Sequence, residues 1–178
     1  MTRRNELHVK SVTILSPLNE QGPRPYTIPR GSFYVDAERD YHDGEPPERI
    51  RLTFVYDGVK TDGASTFWPI SLLVPQWRPG DDKYNAAPLA HDLLYVKKGK
   101  VVDLGPDDGN CHMARTIQLT REECDDVLRG MWRLWGMSRG LAGAADLAIQ
   151  AFAGGESHWG NDGYGIADRF SIFLEVLK

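Results

Sequence analysis

The chain has 178 residues, of which 41% are hydrophobic and 26% are charged, and its formal net charge is -4. These values are typical of one folded protein, and we treat residues 1–178 as a single domain with a hydrophobic core. The acidic balance argues against general nucleic-acid binding, because no excess of basic side chains is present to neutralise phosphates. No run of the sequence approaches the ~20 apolar residues of a membrane-spanning helix.

The first residues and the cysteines bear on the compartment in which the chain is made. Residues 1–6 contain two arginines with no apolar stretch behind them, so we predict no secretory signal peptide. Cys111 and Cys124 fit neither a disulfide framework nor a zinc spacing, and two reduced thiols are the simpler interpretation, with a single bridge as the alternative. We therefore predict synthesis in a cytoplasm.

Residues 1–66 have the pattern of β-strands. Residues 7–15 and 49–56 alternate between polar and apolar side chains, and residues 31–35 form a short aromatic run. Asp57-Gly58 follows the last of these runs as a turn signal. The pattern predicts an antiparallel hairpin or a small open sheet.

Residues 67–84 form a segment that is too apolar for an ordinary surface loop. We interpret Trp68, Leu73 and Trp77 within it as one wall of a substrate pocket for an acyl group, or as a lid that touches lipid. The alternative is that the segment covers the helical part of the core or faces a neighbouring subunit.

Residues 85–154 have a helical pattern. Asn85 can cap a first helix, in which Pro88 would fall within the first turn. A capping box at Thr120 predicts the start of a second helix, and an Ala-rich third helix follows at about residues 138–152. The short joint between the last two helices predicts an antiparallel pair.

Residues 155–178 form a Gly-rich tail that closes with a strand or a short helix at residues 170–174. We thus predict an α+β fold, in which an N-terminal antiparallel β-sheet packs against a C-terminal three-helix unit.

Three polar side chains of the first predicted helix form a candidate site. His91 and Tyr95 are four residues apart and share one helix face, while Asp92 lies on its flank. A base, a carboxylate and a phenol in this arrangement are the smallest set of functional groups that can activate a water molecule.

Helical geometry selects Asp125 as the partner of the imidazole. If Cys124 is the centre of the buried stripe, Asp125 lies about 100° away at the edge of the core, and Asp126 lies about 200° away, towards solvent. A carboxylate at the edge of the core would hold His91 in one tautomer. The alternative is that Asp125 forms a salt bridge at the edge of the core and that His91 is a satisfied core histidine.

The order His-Asp-x-x-Tyr on one helix, followed by an Asp on a second antiparallel helix, resembles the phospholipase A2 class. The resemblance is greatest to its disulfide-free viral version, in which Ala-rich residues precede the His-Asp pair. It implies that His91 is the general base, that Asp92 binds Ca²⁺, and that Tyr95 and Asp125 hold the histidine. The glycine-dense calcium loop of that class is missing, since residues 77–82 contain a single glycine.

A second resemblance covers more of the chain, from about residue 61 to residue 152. This part of the chain is similar to a bacteriophage-encoded domain family of unknown function. The similarity lies in the order of five features: Thr-Asp-Gly-Ala-Ser, an aromatic and Pro-rich loop, His-Asp-x-Leu-Tyr, an Arg-x-Glu-x-Asp helix and a closing helix. Cys124 stands where that family commonly has Ala. The resemblance implies a phage or prophage origin and supplies no established activity.

Residues 61–65 follow a predicted strand and can turn towards the helix that carries His91. Asp62 is then a candidate metal ligand, and Ser65 a candidate hydrogen-bond donor to a substrate. The alternative is an Asp-Gly turn with a local hydrogen bond of the Asx type.

These features lead to two hypotheses of different classes. The first is a phage-encoded, Ca²⁺-dependent hydrolase that acts on an ester, with phospholipid as the first substrate to test; it requires His91 to be accessible. The second is a non-enzymatic component of a phage tail or baseplate, with tail or virion proteins as partners. That component would bury His91 and expose an apolar patch around Trp68 and Trp77. In both hypotheses the chain is made in the host cytoplasm, and incorporation into the virion would follow.

Overall fold

The computed structural model describes residues 5–41, 45–63, 74–106, 114–152 and 159–178. The predicted substrate residues Ser65, Trp68 and Leu73 lie outside these ranges. The helices are α1 (Asp82–Val96), α2 (Arg121–Trp135) and α3 (Arg139–Phe152). The strands are β1 (Glu6–Ile14), β2 (Tyr26–Ile28), β3 (Gly31–Asp40), β4 (Glu48–Tyr56), β5 (Val59–Thr61), β6 (Lys100–Pro106), β7 (Arg115–Gln118) and β8 (Phe170–Val176).

Six of these strands form one sheet with the order β1-β3-β4-β8-β6-β7. Neighbours are antiparallel except β6 and β8, which run parallel. Strands β2 and β5 pair separately as a small antiparallel sheet. The sheet, rich in antiparallel pairs, packs against the three helices, and this confirms the α+β prediction.

Strand β4 shows why these residues form a sheet. Ile50, Leu52, Phe54 and Tyr56 alternate along it and are all buried, while the residues between them point to the other face. Phe54 stacks on Phe33 of β3, with 4.7 Å between ring centroids. The alternation in the sequence therefore marks the face of the sheet that forms the core.

Helix α2 begins and ends with the features that its sequence predicts. The hydroxyl of Thr120 accepts a hydrogen bond from the Glu123 amide at 3.2 Å, and the Glu123 carboxylate accepts one from the Thr120 amide at 2.7 Å. Gly136 ends the helix in the left-handed conformation, with φ of 114°. The capping box and the short joint before α3 are confirmed.

The start of α1 differs from the prediction. Asp81, and not Asn85, is the N-cap, and its carboxylate accepts a backbone N–H of the first turn at 3.1 Å. Pro88 therefore lies inside the helix and not in its first turn. Asn85 instead exchanges two hydrogen bonds with the backbone of Arg78, at 2.8 and 2.7 Å. The error arose because both residues are good caps and the sequence alone did not rank them.

The prediction that residues 85–154 are helical throughout was wrong between α1 and α2, where β6 and β7 form a hairpin. Asp103 is buried on β6 and binds Arg115 at 2.6 Å. Strand β6 also needs β8, from the far end of the chain, as its parallel neighbour. A local sequence pattern gives no information about this distant partner, and β6 was therefore not predicted as a strand. The closing element is the strand β8.

Among the described residues, no helix is both long enough and apolar enough to cross a membrane.

Candidate functional site

Helices α1 and α2 bring His91, Tyr95 and Asp125 together. Nε2 of His91 lies 3.1 Å from Oδ1 of Asp125, and the Tyr95 hydroxyl donates to the same oxygen at 2.6 Å. The rings of His91 and Tyr95 are 4.0 Å apart, as expected for residues one helical turn apart. Nε of Arg121 donates to the Tyr95 hydroxyl at 3.0 Å and extends the network towards the surface.

The electrostatics of this network favour a charged Asp125 beside a neutral phenol. Burial opposes ionisation of Asp125, but the hydrogen bonds from His91 and Tyr95 outweigh it and lower its pKa. Burial, reinforced by the hydrogen bond to Asp125, raises the pKa of Tyr95 well above its ordinary value. Asp125 is thus an acceptor and Tyr95 a donor at neutral pH.

The carboxylate determines which nitrogen of His91 can act as a base. Because Nε2 faces an ionised Asp125, we assign the proton of the neutral imidazole to Nε2 and the lone pair to Nδ1. Within the described segments, no residue forms a hydrogen bond with Nδ1. The side chain of His91 is 6% exposed, so little of its surface is open to a reactant.

Asp92 points away from this network and binds the end of β5. The Thr61 hydroxyl donates to Oδ2 of Asp92 at 2.5 Å, and the Gly63 amide donates to the Thr61 hydroxyl at 2.9 Å. Burial of the carboxyl group, with a smaller effect of the nearby Asp62 charge, raises the pKa of Asp92 to about 6. Thr61 is fully buried and was not singled out in the sequence, although it begins the Thr-Asp-Gly-Ala-Ser motif.

Asp62 is close enough to Asp92 to influence the pKa of Asp92, but the Asp62 carboxylate itself interacts with other residues. Its carboxylate lies 3.7 Å from Nε of Arg24. Partial burial and a hydrogen bond to Asp62 raise the pKa of Tyr164 to about 12. Asp62 is thus positioned by a cation and a phenol.

The residues in the described segments do not fit a calcium centre. In that part of the chain, no three His, Cys, Asp or Glu side chains are grouped as metal ligands. Asp92 binds Thr61 and Asp62 faces Arg24, so the two predicted ligands form other interactions. A calcium site needs six to eight oxygen ligands.

Trp77 belongs to the core and not to an open pocket wall. It is 6% exposed and stacks on Tyr26 of β2, with 5.0 Å between centroids. The turn at Gly63 packs so closely on the backbone of Gln76 that a Cβ at Gly63 would collide with its carbonyl oxygen. Trp77 thus supports the turn that carries Thr61, as expected if this part of the apolar segment covers the core.

Two further residues that the sequence did not identify surround Tyr95. Arg121 begins α2 and was noted only as part of a motif. Trp159 packs edge-on against the Tyr95 ring, with centroids 4.9 Å apart, and the adjacent Gly160 amide donates to the Tyr95 carbonyl at 2.8 Å. No local pattern predicts the Trp159 contact, because it joins the tail to α1.

The predicted solvent-facing position of Asp126 was wrong. Asp126 is buried, accepts the Leu7 amide at 3.2 Å and binds Arg129. Helix α2 packs on α1 with one side and on β1 with another, so two of its faces are covered. A single buried stripe was too simple an assumption for this helix.

Comparisons with protein-family models, with curated protein sequences and with solved structures gave no match. Both resemblances therefore stay predictions.

Proposed function

We propose that this chain is a phage-encoded hydrolase that cleaves an ester, with His91 as its general base. The observation that supports this most directly is the 3.1 Å contact between Nε2 of His91 and Oδ1 of Asp125. A histidine oriented by a buried carboxylate, with its other nitrogen not hydrogen-bonded within the described residues, is the arrangement that general-base catalysis requires.

In the proposed reaction, Nδ1 of His91 takes a proton from a water molecule as its oxygen attacks the ester carbonyl carbon. The tetrahedral intermediate then expels the alcohol, to which the imidazolium returns the proton. Asp125 stabilises the imidazolium while it exists, and the Tyr95 hydroxyl holds Asp125 in position at 2.6 Å. Asp125 and Tyr95 are positioning residues, because they act through His91.

Phospholipid is the proposed substrate class. The support is the His-Asp-x-x-Tyr resemblance, together with the cationic, half-buried Arg121 beside the network, which suits a substrate with a phosphate group. Association with a virion or tail is part of the proposal through the resemblance to the phage-encoded family.

A structural component of a phage tail or baseplate is the second candidate. The observation in its favour is the nearly complete burial of His91 and Asp125, which are 5% and 3% exposed. A buried ion network of this kind can serve only to fix the packing of α1 on α2. The burial of Trp77 counts against the exposed apolar patch that this hypothesis expected around Trp68 and Trp77.

The test is hydrolysis of a panel of phospholipids and simple esters, with and without Ca²⁺, by the wild type, His91→Ala and His8→Ala. His8 is the matched control, because its side chain is 47% exposed and lies on β1. We expect turnover by the wild type and His8→Ala, and a loss of ~100-fold or more in folded His91→Ala. Absence of turnover by the folded wild type on the whole panel would favour the structural component.

A second variant tests the orienting role of Asp125. Asp125→Asn keeps the shape of the side chain but removes the charge that holds the Nε2 proton. We expect kcat to fall by ~100-fold or more with little change in KM, because the substrate does not contact Asp125. Equal kcat values in Asp125→Asn and wild type would show that the His91–Asp125 contact only stabilises the fold.

A further inference from the structure

A cavity of about 560 Å³ lies between β1 and the joint of α2 and α3, away from the His91 network. Its volume falls in the range of sites that bind small molecules. Residues of α2 and β1 line it, and the Leu7 amide of β1 donates a hydrogen bond to the Asp126 carboxylate of α2 at 3.2 Å. This hydrogen bond joins the two elements that line the cavity.

The charge of the cavity lining is opposite to that of the protein. The chain carries a formal net charge of -4. Among the residues that the structure describes, the lining has four cationic side chains and two carboxylates, a balance of +2 with His8 counted as neutral. The charged lining residues are Lys10, Arg129, Arg133, Arg139, Glu6 and Asp126. A positive concavity on an acidic protein concentrates anions.

Two of these cations form no ion pair with a carboxylate of the described residues. Lys10 binds Glu38 at 2.6 Å, and Arg129 binds Asp126. Arg133 and Arg139, in contrast, form no side-chain ion pair or hydrogen bond with any residue in the described ranges. They flank the joint between α2 and α3, and both line the cavity.

We propose that this cavity binds a small phosphorylated ligand, with Arg133 and Arg139 as the residues that contact its phosphate groups. The guanidinium group presents paired donors that match phosphate oxygens, and two such groups suit a ligand with at least two negative charges. Leu134 also lines the cavity and is 49% exposed, which provides an apolar contact for the organic part of the ligand.

The experiment is calorimetric titration of the full chain with inorganic pyrophosphate at low ionic strength, with backbone chemical shifts as a second readout. We expect saturable binding and shift changes around residues 133–139. The double variant Arg133→Gln/Arg139→Gln should bind ~10-fold or more weakly, because both charged donors are lost. Both side chains are exposed, so the fold should be retained, and circular dichroism checks this.

The matched control is Arg30→Gln/Lys60→Gln, which removes the same net charge from exposed positions outside the cavity. It should bind pyrophosphate like the wild type, and so should His91→Ala, since this site does not depend on the proposed hydrolase. Absence of wild-type binding, equal weakening in the control, or shift changes elsewhere would overturn the proposal. Succinate binding as tightly as pyrophosphate would overturn the assignment of phosphate.

Discussion

The environment of the Asp92 carboxyl group favours its neutral form over its charged form. The carboxyl group is partly buried and has the Asp62 charge nearby, and the hydrogen bond donated by the Thr61 hydroxyl at 2.5 Å offsets these effects only in part. Burial raises the pKa of Asp92 from 3.8 to about 6. A proton is therefore bound more tightly in the folded chain than in the unfolded chain, so the contribution of Asp92 to stability is greatest at low pH and is lost as the pH rises through about 6.

Because the fold favours the uncharged form of Asp92, we predict that Asp92→Asn stabilises the protein at neutral pH. The amide is uncharged and its oxygen can still accept the Thr61 hydroxyl. At about pH 7.5 we expect the free energy of unfolding to rise by about 1–3 kcal/mol over the wild type, and at about pH 4 the difference should largely vanish. Urea denaturation of both proteins at the two pH values measures this.

The control for that experiment is Asp168→Asn, at an exposed position. It should change the free energy of unfolding by less than ~0.5 kcal/mol at either pH. A lower stability of Asp92→Asn at neutral pH would contradict the argument, because it would mean that the charged form of Asp92 stabilises the fold.

The sequence predicted the His91, Tyr95 and Asp125 side chains as neighbours, because helical periodicity specifies which residues share a face. It did not identify Thr61 or Trp159. These two residues reach the site through a turn and a tail contact, and neither contact follows from periodicity.

Among the elements, α2 packs closely on β1 at Gly130. A Cβ at this position would lie 2.6 Å from Cγ2 and 2.7 Å from Cβ of Val9. The missing side chain lets the helix pack directly on the strand, and this packing also positions Asp126 at the Leu7 amide. The glycine is therefore needed for its small size.

We predict that Gly130→Ala destabilises the protein by about 1–2 kcal/mol, because the clash with Val9 outweighs the better helix propensity of alanine. Gly143→Ala is the matched control on α3, where a Cβ would meet no atom within 4 Å. It should stabilise the protein by about 0.5–1 kcal/mol.

Thermal and urea unfolding of the two glycine variants against the wild type give the comparison. Stabilisation by both substitutions would show that α2 does not pack closely on Val9 of β1 at Gly130.

For the molecule as a whole, β8 joins the two parts of the chain. It pairs with β4 on one side and with β6 on the other, so it links the three N-terminal strands of the sheet to the hairpin of β6 and β7. Ile172 and Leu174 of β8 are buried in the core. Among the described strands, β8 alone connects the β1-β3-β4 part of the sheet to β6 and β7.

We predict that Ile172→Asp prevents folding, because an unpaired charge in the core costs several kcal/mol, a large part of the stability of a typical domain. Ser171→Asp is the matched control, since Ser171 is the preceding residue of the same strand and points to solvent. Amide chemical-shift dispersion and cooperative unfolding distinguish the outcomes. A cooperatively folded Ile172→Asp with wild-type stability would contradict a central role of β8.

The amino-acid sequence by itself determined the features that rest on short-range physics. Alternation marked β1 and β4, a short aromatic run marked the start of β3, the capping box marked the start of α2, and helical spacing placed His91 and Tyr95 on one face. These features involve residues within a few positions of each other, so backbone geometry and local hydrogen bonds specify them.

Only the tertiary structure decided the features that depend on distant partners. The insertion of β8 beside β6, the burial of Asp126 between two layers and the Thr61–Asp92 hydrogen bond each join residues far apart in the chain. The same holds for the cavity between β1 and α3. The free energy of such contacts comes from packing between elements, and a local pattern carries no information about which distant surface will cover a given face.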